Sequence, residues 1–478
     1  MFLRQIYDDA LAQAAYLIGC QKSGEAIVID PERDIDRYHE LAGKHGLQII
    51  AAAETHIHAD FVSGTQEFAA DPSVHVYLPG EGGPDWTHAW TGGKGNITLL
   101  KDGDSIHIGN VEITAVHTPG HTPEHVSYLV TDHGSGATEA VAIATGDFVF
   151  VGDVGRPDLL ESAAGIVGNM EPSARSLQKS LAEKLDLPEF TQILPGHGAG
   201  SACGKALGAL PSSTLGYERR FNAALSLAQT NADEFVSEIL SGQPEPPMYF
   251  ARMKKVNRDG IAVTGGAPKP RAMTASEFVN ESRGSAVRVL DARSDRQAFI
   301  DAHLPGSLFG SLGDGMIVNA AGSMISEDEH ILLVLDSEAD ADMAARLLYR
   351  VGFDHVDGYV TFDALKSAGV EMTGMEHFQC ETFDPASIKA GEVILDVRNS
   401  SEHQERCYPG SACRPYTRLS SVLGELDRET RYYVHCQSGR RATVAVSYLQ
   451  SLGYDAVLMD GSCEASYPHT SQSEPAWT

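Results

Sequence analysis

Short apolar runs, broken by turn residues, pattern the first half of the chain. Ala26–Asp30, Gln48–Ala53, Val111–Val116 and Ala140–Thr145 are each too short for a typical helix, so they read as strands. Helical stretches and loops rich in Gly and His run between them. From Ser241 to Arg271 the pattern lapses. Pro244, Pro246, Pro247, Pro268 and Pro270 punctuate this stretch, which predicts a linker or a surface-hugging connector. Beyond it the chain repeats itself. "VRVLDARSDRQAFIDAHLPGS" opens one copy and "VILDVRNSSEHQERCYPGS" the other, with Asp291, Arg293, Pro305 and Gly306 recurring as Asp396, Arg398, Pro409 and Gly410. A β-rich run follows in each ("ILLVLD", "YYVHC"), then an amphipathic helix. Strand alternating with helix predicts a small parallel sheet per copy, and a period of about 100 residues is a tandem domain rather than a solenoid.

Composition narrows the possibilities. The 478 residues carry 36 Lys+Arg against 65 Asp+Glu, a formal charge of −29. That length suggests about three domains. No basic cluster offers a phosphate footprint, so nucleic acid is not an expected partner. No apolar run approaches the roughly 18 residues that cross a bilayer. Arg4, Asp8 and Asp9 interrupt any secretory core at the start, so no membrane partner and a cytoplasmic location are expected. The seven cysteines are odd in number, irregularly spaced and free of CxxC, which predicts reduced thiols rather than a disulfide framework.

Histidines concentrate at strand ends. In "ETHIHAD", His56, His58 and Asp60 occupy alternate positions after a strand, and in extended backbone such side chains point the same way, toward one centre. His121 in "TPGHT", Asp147 in "TGD" and His197 in "LPGHG" occupy similar loops. Imidazole and carboxylate suit Zn, Fe or Mn. At these residues the sequence resembles the metallo-β-lactamase family, which implies a four-layer αββα sandwich with metal at one edge. Two-metal members carry HxHxDH. Here the last position is Phe61, which cannot ligate, and this argues for one metal.

The N-terminal part is similar to the persulfide dioxygenase branch of that family. The resemblance implies one Fe(II) held by His56, His121 and Asp147, a facial triad with open positions for substrate and dioxygen. His58, Asp60 and His197 become residues that orient ligands or bound water. Arg156, in "GDVGRPDLL", falls where the branch holds its thiol substrate, although a structural ion pair is the alternative. Cys203, six residues after His197, is expected near the site, either carrying a persulfide or as an inert buried thiol.

"YYVHCQSGRRATVAVSYLQSLGY" reads strand, loop, helix. Cys436 ends the strand, facing loop N–H groups and the positive end of a helix expected to begin near Ala442; both favour an anion on sulfur. Gly439 lets the loop curl, and Arg440 and Arg441 add positive charge. Cys436 is therefore the expected nucleophile. The loop resembles rhodanese, as do "LDVR" and "PGS" at 409–411, although Cys407 and Tyr408 stand where that family usually shows His before the Pro-Gly. Position 442 is Ala, so the wider loop of the related phosphatases, with Arg six positions after Cys, is absent. In the first repeat the cysteine position falls on Leu335 or Asp336 depending on the landmark used. Neither is Cys, and the acidic "DSEADAD" would repel a sulfur anion.

The expected architecture is thus α/β and multidomain: a metallo-β-lactamase-fold dioxygenase domain (1–245), a linker (246–270), a Cys-less rhodanese-like domain (271–374) and an active rhodanese domain (375–478). The resemblance implies oxidation of low-molecular-weight thiol persulfides by O2 to sulfite, then sulfur transfer through Cys436 to give thiosulfate, in sulfide detoxification. Homo-oligomerisation is expected, with the Cys-less repeat offering surface. Two alternatives stay open. One is a glyoxalase II-like zinc thioesterase or hydrolase fused to a rhodanese; the other is a non-enzymatic sulfur carrier.

Overall fold

The computed structural model describes residues 1–159, 170–205 and 207–463. They divide into two compact units. The first comprises 1–267 with 349–352, and the second is the remainder. Positions 464–478 of the expected last domain lie outside the described residues.

In the first unit, the strands Phe2–Asp8, Gln13–Cys20, Glu25–Ile29, Gln48–Ala53, His75–Pro79 and Ile97–Leu100 form one sheet in sequence order. A second six-stranded sheet runs from Ser105–Ile108 through Val111–His117, Val126–Asp132, Ala142–Gly146 and Gln192–Pro195 to Ser213–Thr214. The period-2 alternation of strands explains how the sheets pack. Tyr16 and Ile18 point between the sheets and meet Ile113, Val130 and Ala144. Their neighbours Ala15 and Leu17 point outward, against Tyr38, Ala42 and Phe68. On the far side Ile143 and Ile193 pack on Leu177, Leu181 and Phe235. Helix, sheet, sheet and helix are the four layers that the resemblance implies. Of the sequence-read strands, Gln48–Ala53 is found residue for residue, and the other three agree within two residues at either end.

The stretch 246–270 is not simply a linker. It contains the helix Tyr249–Asp259, whose Tyr249, Phe250, Met253 and Asn257 are buried in the first unit. Prolines mark its flanks, and Tyr249, Phe250 and Met253 form an apolar face between them.

The second unit holds two five-stranded sheets, all parallel and of one design. The orders are Arg271–Ala272, Val356–Thr361, His330–Leu335, Val287–Asp291, Leu308–Phe309 and, in the second repeat, His377–Gln379, Asp455–Asp460, Arg431–His435, Glu392–Asp396, Ala412–Cys413. The recurring Asp and Arg prove structural. Arg293 clasps Asp291 and donates to the Ala302 carbonyl at 2.8 Å, as Arg398 clasps Asp396 and reaches the Arg406 carbonyl. Register also settles the missing nucleophile. Asp291 pairs with Val334 and Asp396 with His435, so the counterpart of Cys436 is Leu335.

One cysteine expectation is overturned. Cys380 and Cys463 are joined as a disulfide, with Cα atoms 5.0 Å apart. His377–Gln379 lies beside Leu458–Asp460 in parallel, so the residues that follow each strand emerge together. The other five cysteines are free thiols. Among the described residues no helix is long and apolar enough to cross a membrane.

Candidate functional site

The side chains expected to ligate a metal gather where strands of both sheets end. Asp30 closes the strand Glu25–Ile29 in the left-handed region (φ 51°), which Asp tolerates better than most residues. Its carboxylate accepts from the Thr55 amide (2.6 Å) and hydroxyl (2.9 Å). The Thr55 hydroxyl lies 2.9 Å from His56 Nδ1, and His56 Nε2 lies 3.9 Å from Asp147 Oδ2. His121 is fixed in the same manner: Nδ1 sits 2.9 Å from the Arg156 carbonyl, and Nε2 is 3.3 Å from Asp147 Oδ2. Asp147 Oδ1 is held by His197 Nδ1 at 2.7 Å, whereas its buried Oδ2 has no hydrogen-bond partner. Two imidazole nitrogens and an unpartnered carboxylate oxygen therefore converge, within 4.8 Å of one another. A buried unsatisfied carboxylate oxygen is costly, and a cation removes that cost. The donor set fits a metal ion.

The three members of "ETHIHAD" do not meet at one point. His56 joins His121 and Asp147; His58 joins Asp30 and Glu54; Asp60 joins His197 and Cys203. The chain leaves the sheet after Ala53, so strand alternation no longer governs it. His197 Nε2 reaches Asp60 Oδ2 at 2.7 Å, and one imidazole thus bridges Asp60 to Asp147. His58 Nε2 lies 3.2 Å from Asp30 and 3.0 Å from Glu54, with its ring against those of His56 and Phe61.

Burial and charge set the protonation pattern. Burial opposes an imidazolium on His197 and on His58, but Asp147 with Asp60, and Asp30 with Glu54, outweigh it and raise both well above the ordinary value. Burial and the neighbouring His58 push His56 well below it. Burial would raise the Asp147 carboxyl, yet His197 and His121 hold it low. An anionic Asp147 and a neutral His56 are the forms that bind metals.

Sequence reading missed two contributors. His125 Nε2 accepts from the Asp147 amide at 3.1 Å, and its Nδ1 lies 2.8 Å from the Thr118 hydroxyl. Its signal was a second His four residues after His121. Asn257, on the helix Tyr249–Asp259, donates to the carbonyls of His58 (2.8 Å) and Phe61 (2.7 Å) and accepts from the Ser63 amide (2.9 Å). It had no local signal. Close approach also explains Gly155, where a Cβ would lie 1.7 Å from the Asp147 carbonyl oxygen.

Arg156 is 1% exposed. Its Nε and Nη2 bond Asp158 at 2.8 and 2.6 Å, and Nη1 donates to the Ala202 carbonyl. Its guanidinium is committed inside the protein, and its carbonyl oxygen is what orients His121. Cys203 lies beside His197 and Asp60, with the proximity that sequence reading expected; burial pushes its thiol up to about 12.

In the second repeat Cys436 follows the strand Arg431–His435, and the helix Arg440–Ser451 begins two residues earlier than expected, behind Gly439 at φ 81°. The thiol is fully buried. Both loop arginines are paired. Arg441 holds Glu402 at 2.6 and 2.8 Å, and Arg440 Nε lies 2.9 Å from Asp314. The expected surplus of positive charge at the sulfur loop is therefore offset by two carboxylates.

The sequence model of the metallo-beta-lactamase superfamily matches residues 8–197, and that of the rhodanese-like domain matches 385–467. A solved metallo-beta-lactamase from Staphylococcus aureus subsp. aureus COL is 38% identical, covers 76% of this chain and 99% of its own, and superposes with a TM-score of 0.66. The mitochondrial persulfide dioxygenase ETHE1 of Bos taurus is 29% identical over 242 residues, 49% of this chain and 79% of its own. A probable metallo-hydrolase, YqgX of Bacillus subtilis (strain 168), is 29% identical over 199 residues, 39% of this chain and 85% of its own.

Proposed function

The chain belongs to the metallo-β-lactamase superfamily and carries a C-terminal rhodanese-like domain, and from that premise we propose that it oxidises low-molecular-weight thiol persulfides and transfers sulfane sulfur. The balanced first reaction is RSSH + O2 + H2O → RSH + SO3²⁻ + 2H⁺. In the second, sulfite takes the sulfane sulfur of a Cys436 persulfide to give thiosulfate and the Cys436 thiol.

The observation that carries the first half is the convergence of His56, His121 and the unpartnered Asp147 oxygen. We assign these three as the ligands of a single Fe(II). When bound, iron supplies a redox centre that can engage O2 and a sulfur anion together. The chain's own residues do the rest. Thr55 and the Arg156 carbonyl fix the two imidazoles so that Nε2 of each faces the site. His197, tied between Asp147 and Asp60, holds the carboxylate in place. Phe61 is fully buried against His58 and fills the position where two-metal relatives carry a ligand, which supports one metal.

For the second half, Cys436 sits before the N-terminus of a twelve-residue helix, a setting that stabilises thiolate and persulfide anions. Anaerobic purification with metal analysis, followed by oxygen-electrode assays across glutathione, coenzyme A and cysteine persulfides, tests the reading. About one iron per chain and persulfide-dependent oxygen uptake are expected. Zinc with thioester hydrolysis and no oxygen uptake would replace it with the hydrolase reading.

A further inference from the structure

The first repeat has Leu335 where a nucleophile would stand, yet it contributes side chains to the sulfur loop of the second. Behind the loop, Arg296 donates to Asp460 at 2.7 and 3.1 Å and to the Thr443 hydroxyl at 3.0 Å. That Asp460 carboxylate lies 2.1 Å from where a Cβ on Gly439 would be, so it backs directly onto the turn. The Phe309 amide donates to Ser447 at 2.9 Å, one turn further along the same helix. At the front stands Asp314, just before the helix Met316–Met324, with Oδ1 accepting from the Met316 amide at 3.2 Å. Its other oxygen pairs with the Arg440 guanidinium through both Nε and Nη2. The hydroxyl of the buried Tyr416 lies 4.0 Å from Met316 Sδ, two residues after Asp314. Glu402 already occupies Arg441.

We propose that Asp314 of the Cys-less repeat is a specificity-determining residue of the Cys436 site, weakening its hold on multiply charged anionic sulfur acceptors by offsetting Arg440. The inference rests on the reading of Cys436 as the sulfur-carrying nucleophile. In that step the lone pair of the sulfite sulfur attacks the sulfane sulfur, the bond to Cys436 Sγ breaks, and Cys436 leaves as a thiolate that takes up the persulfide proton. A neutral dithiol acceptor instead leaves as its cyclic disulfide and releases the sulfane sulfur as hydrogen sulfide. Only the first acceptor carries charge into the site, so only its binding responds to Asp314.

The test uses the full chain as wild type, Asp314→Asn and Asp363→Asn, the last removing an equal charge from the exposed face of the helix Phe362–Ser367. Each is loaded with sulfur from glutathione persulfide, the Cys436 adduct is confirmed by mass, and kcat and KM are measured with sulfite and with dithiothreitol. Asp314→Asn should lower the sulfite KM about five-fold at low salt, the scale of one charge acting on a dianion across about 8 Å of water-like medium. The ratio should fall toward one near 1 M salt, where the Debye length is about 3 Å. Sulfite kcat and both dithiothreitol constants should stay within about two-fold, and Asp363→Asn should match wild type throughout. Arg440→Gln provides an opposite change and should raise the sulfite KM. A chain that loads Cys436 normally but whose sulfite KM is unchanged or higher in Asp314→Asn overturns the role of Asp314 alone. Failure of the wild type to load Cys436 overturns the sulfurtransferase reading, and this inference with it.

Discussion

At the scale of single residues, the two candidate centres depend on different side chains, and this makes them separable. Cys436→Ser removes the sulfur at the end of the strand Arg431–His435 while leaving His56, His121 and Asp147 untouched. Thiosulfate formation should fall to background with oxygen uptake retained within about two-fold; equal loss of both in an oxygen-electrode and product assay would refute separate sites. His121→Ala deletes one of three convergent donors. Iron content and oxygen uptake should fall at least ten-fold, the scale on which lost metal-site interactions are felt, while sulfur transfer through Cys436 persists. Unchanged iron by metal analysis would exclude His121 as a ligand. Strand-end loops made a wider set of His and Asp legible as candidates, and the family resemblance singled out His56, His121 and Asp147 among them. The pairing of Arg440 and Arg441 was not legible. Their carboxylate partners lie 126 and 39 residues away in sequence, and no local pattern announces a long-range ion pair.

At the scale of elements, apolar period placed the strands well, since alternation is imposed by the pleat itself. The same rule failed at "ETHIHAD", where the chain had already left the sheet. It also gave no warning of the helix Tyr249–Asp259, which proline content disguised as linker. That helix has a specific duty. Asn257 supplies hydrogen bonds to two carbonyls and one amide of the loop that carries His58 and Phe61. Asn257→Ala leaves those buried groups unsatisfied, at about 1–3 kcal/mol for each group left without a partner. The expected result is a lower unfolding midpoint for the first unit by denaturant titration and weaker iron retention against a chelator, with sulfur loading of Cys436 unaffected. An unaltered midpoint together with unaltered iron retention would mean that the helix merely covers the loop.

At the scale of the whole molecule, the repeat was legible as two tandem sheets because "LDxR" and "PGS" recur with their secondary structure, and both sheets share one strand order. The acidity of the chain bears on its solubility and partners, whereas its pH response depends on particular buried groups. His435 is one. It lies under the Cys436 loop, fully buried, with its ring edge-on to Tyr408 at 5.0 Å. Burial lowers its pKa to about 4, and the attraction of Asp396 only partly opposes this. The folded chain therefore keeps His435 neutral at a pH where the unfolded chain, with an ordinary value near 6.5, has already bound a proton. The sign follows from linkage: the stabilisation is complete above about pH 6.5 and is lost as pH falls toward 4. Between pH 7.5 and 4.5 the second unit should lose about 2–3 kcal/mol from this group alone, at roughly 1.4 kcal/mol per pKa unit. His435→Asn cannot titrate, so its stability should fall with acid by that much less than wild type in paired denaturant titrations. Identical pH slopes for the two proteins would show that His435 is protonated as readily in the folded chain as in the unfolded one.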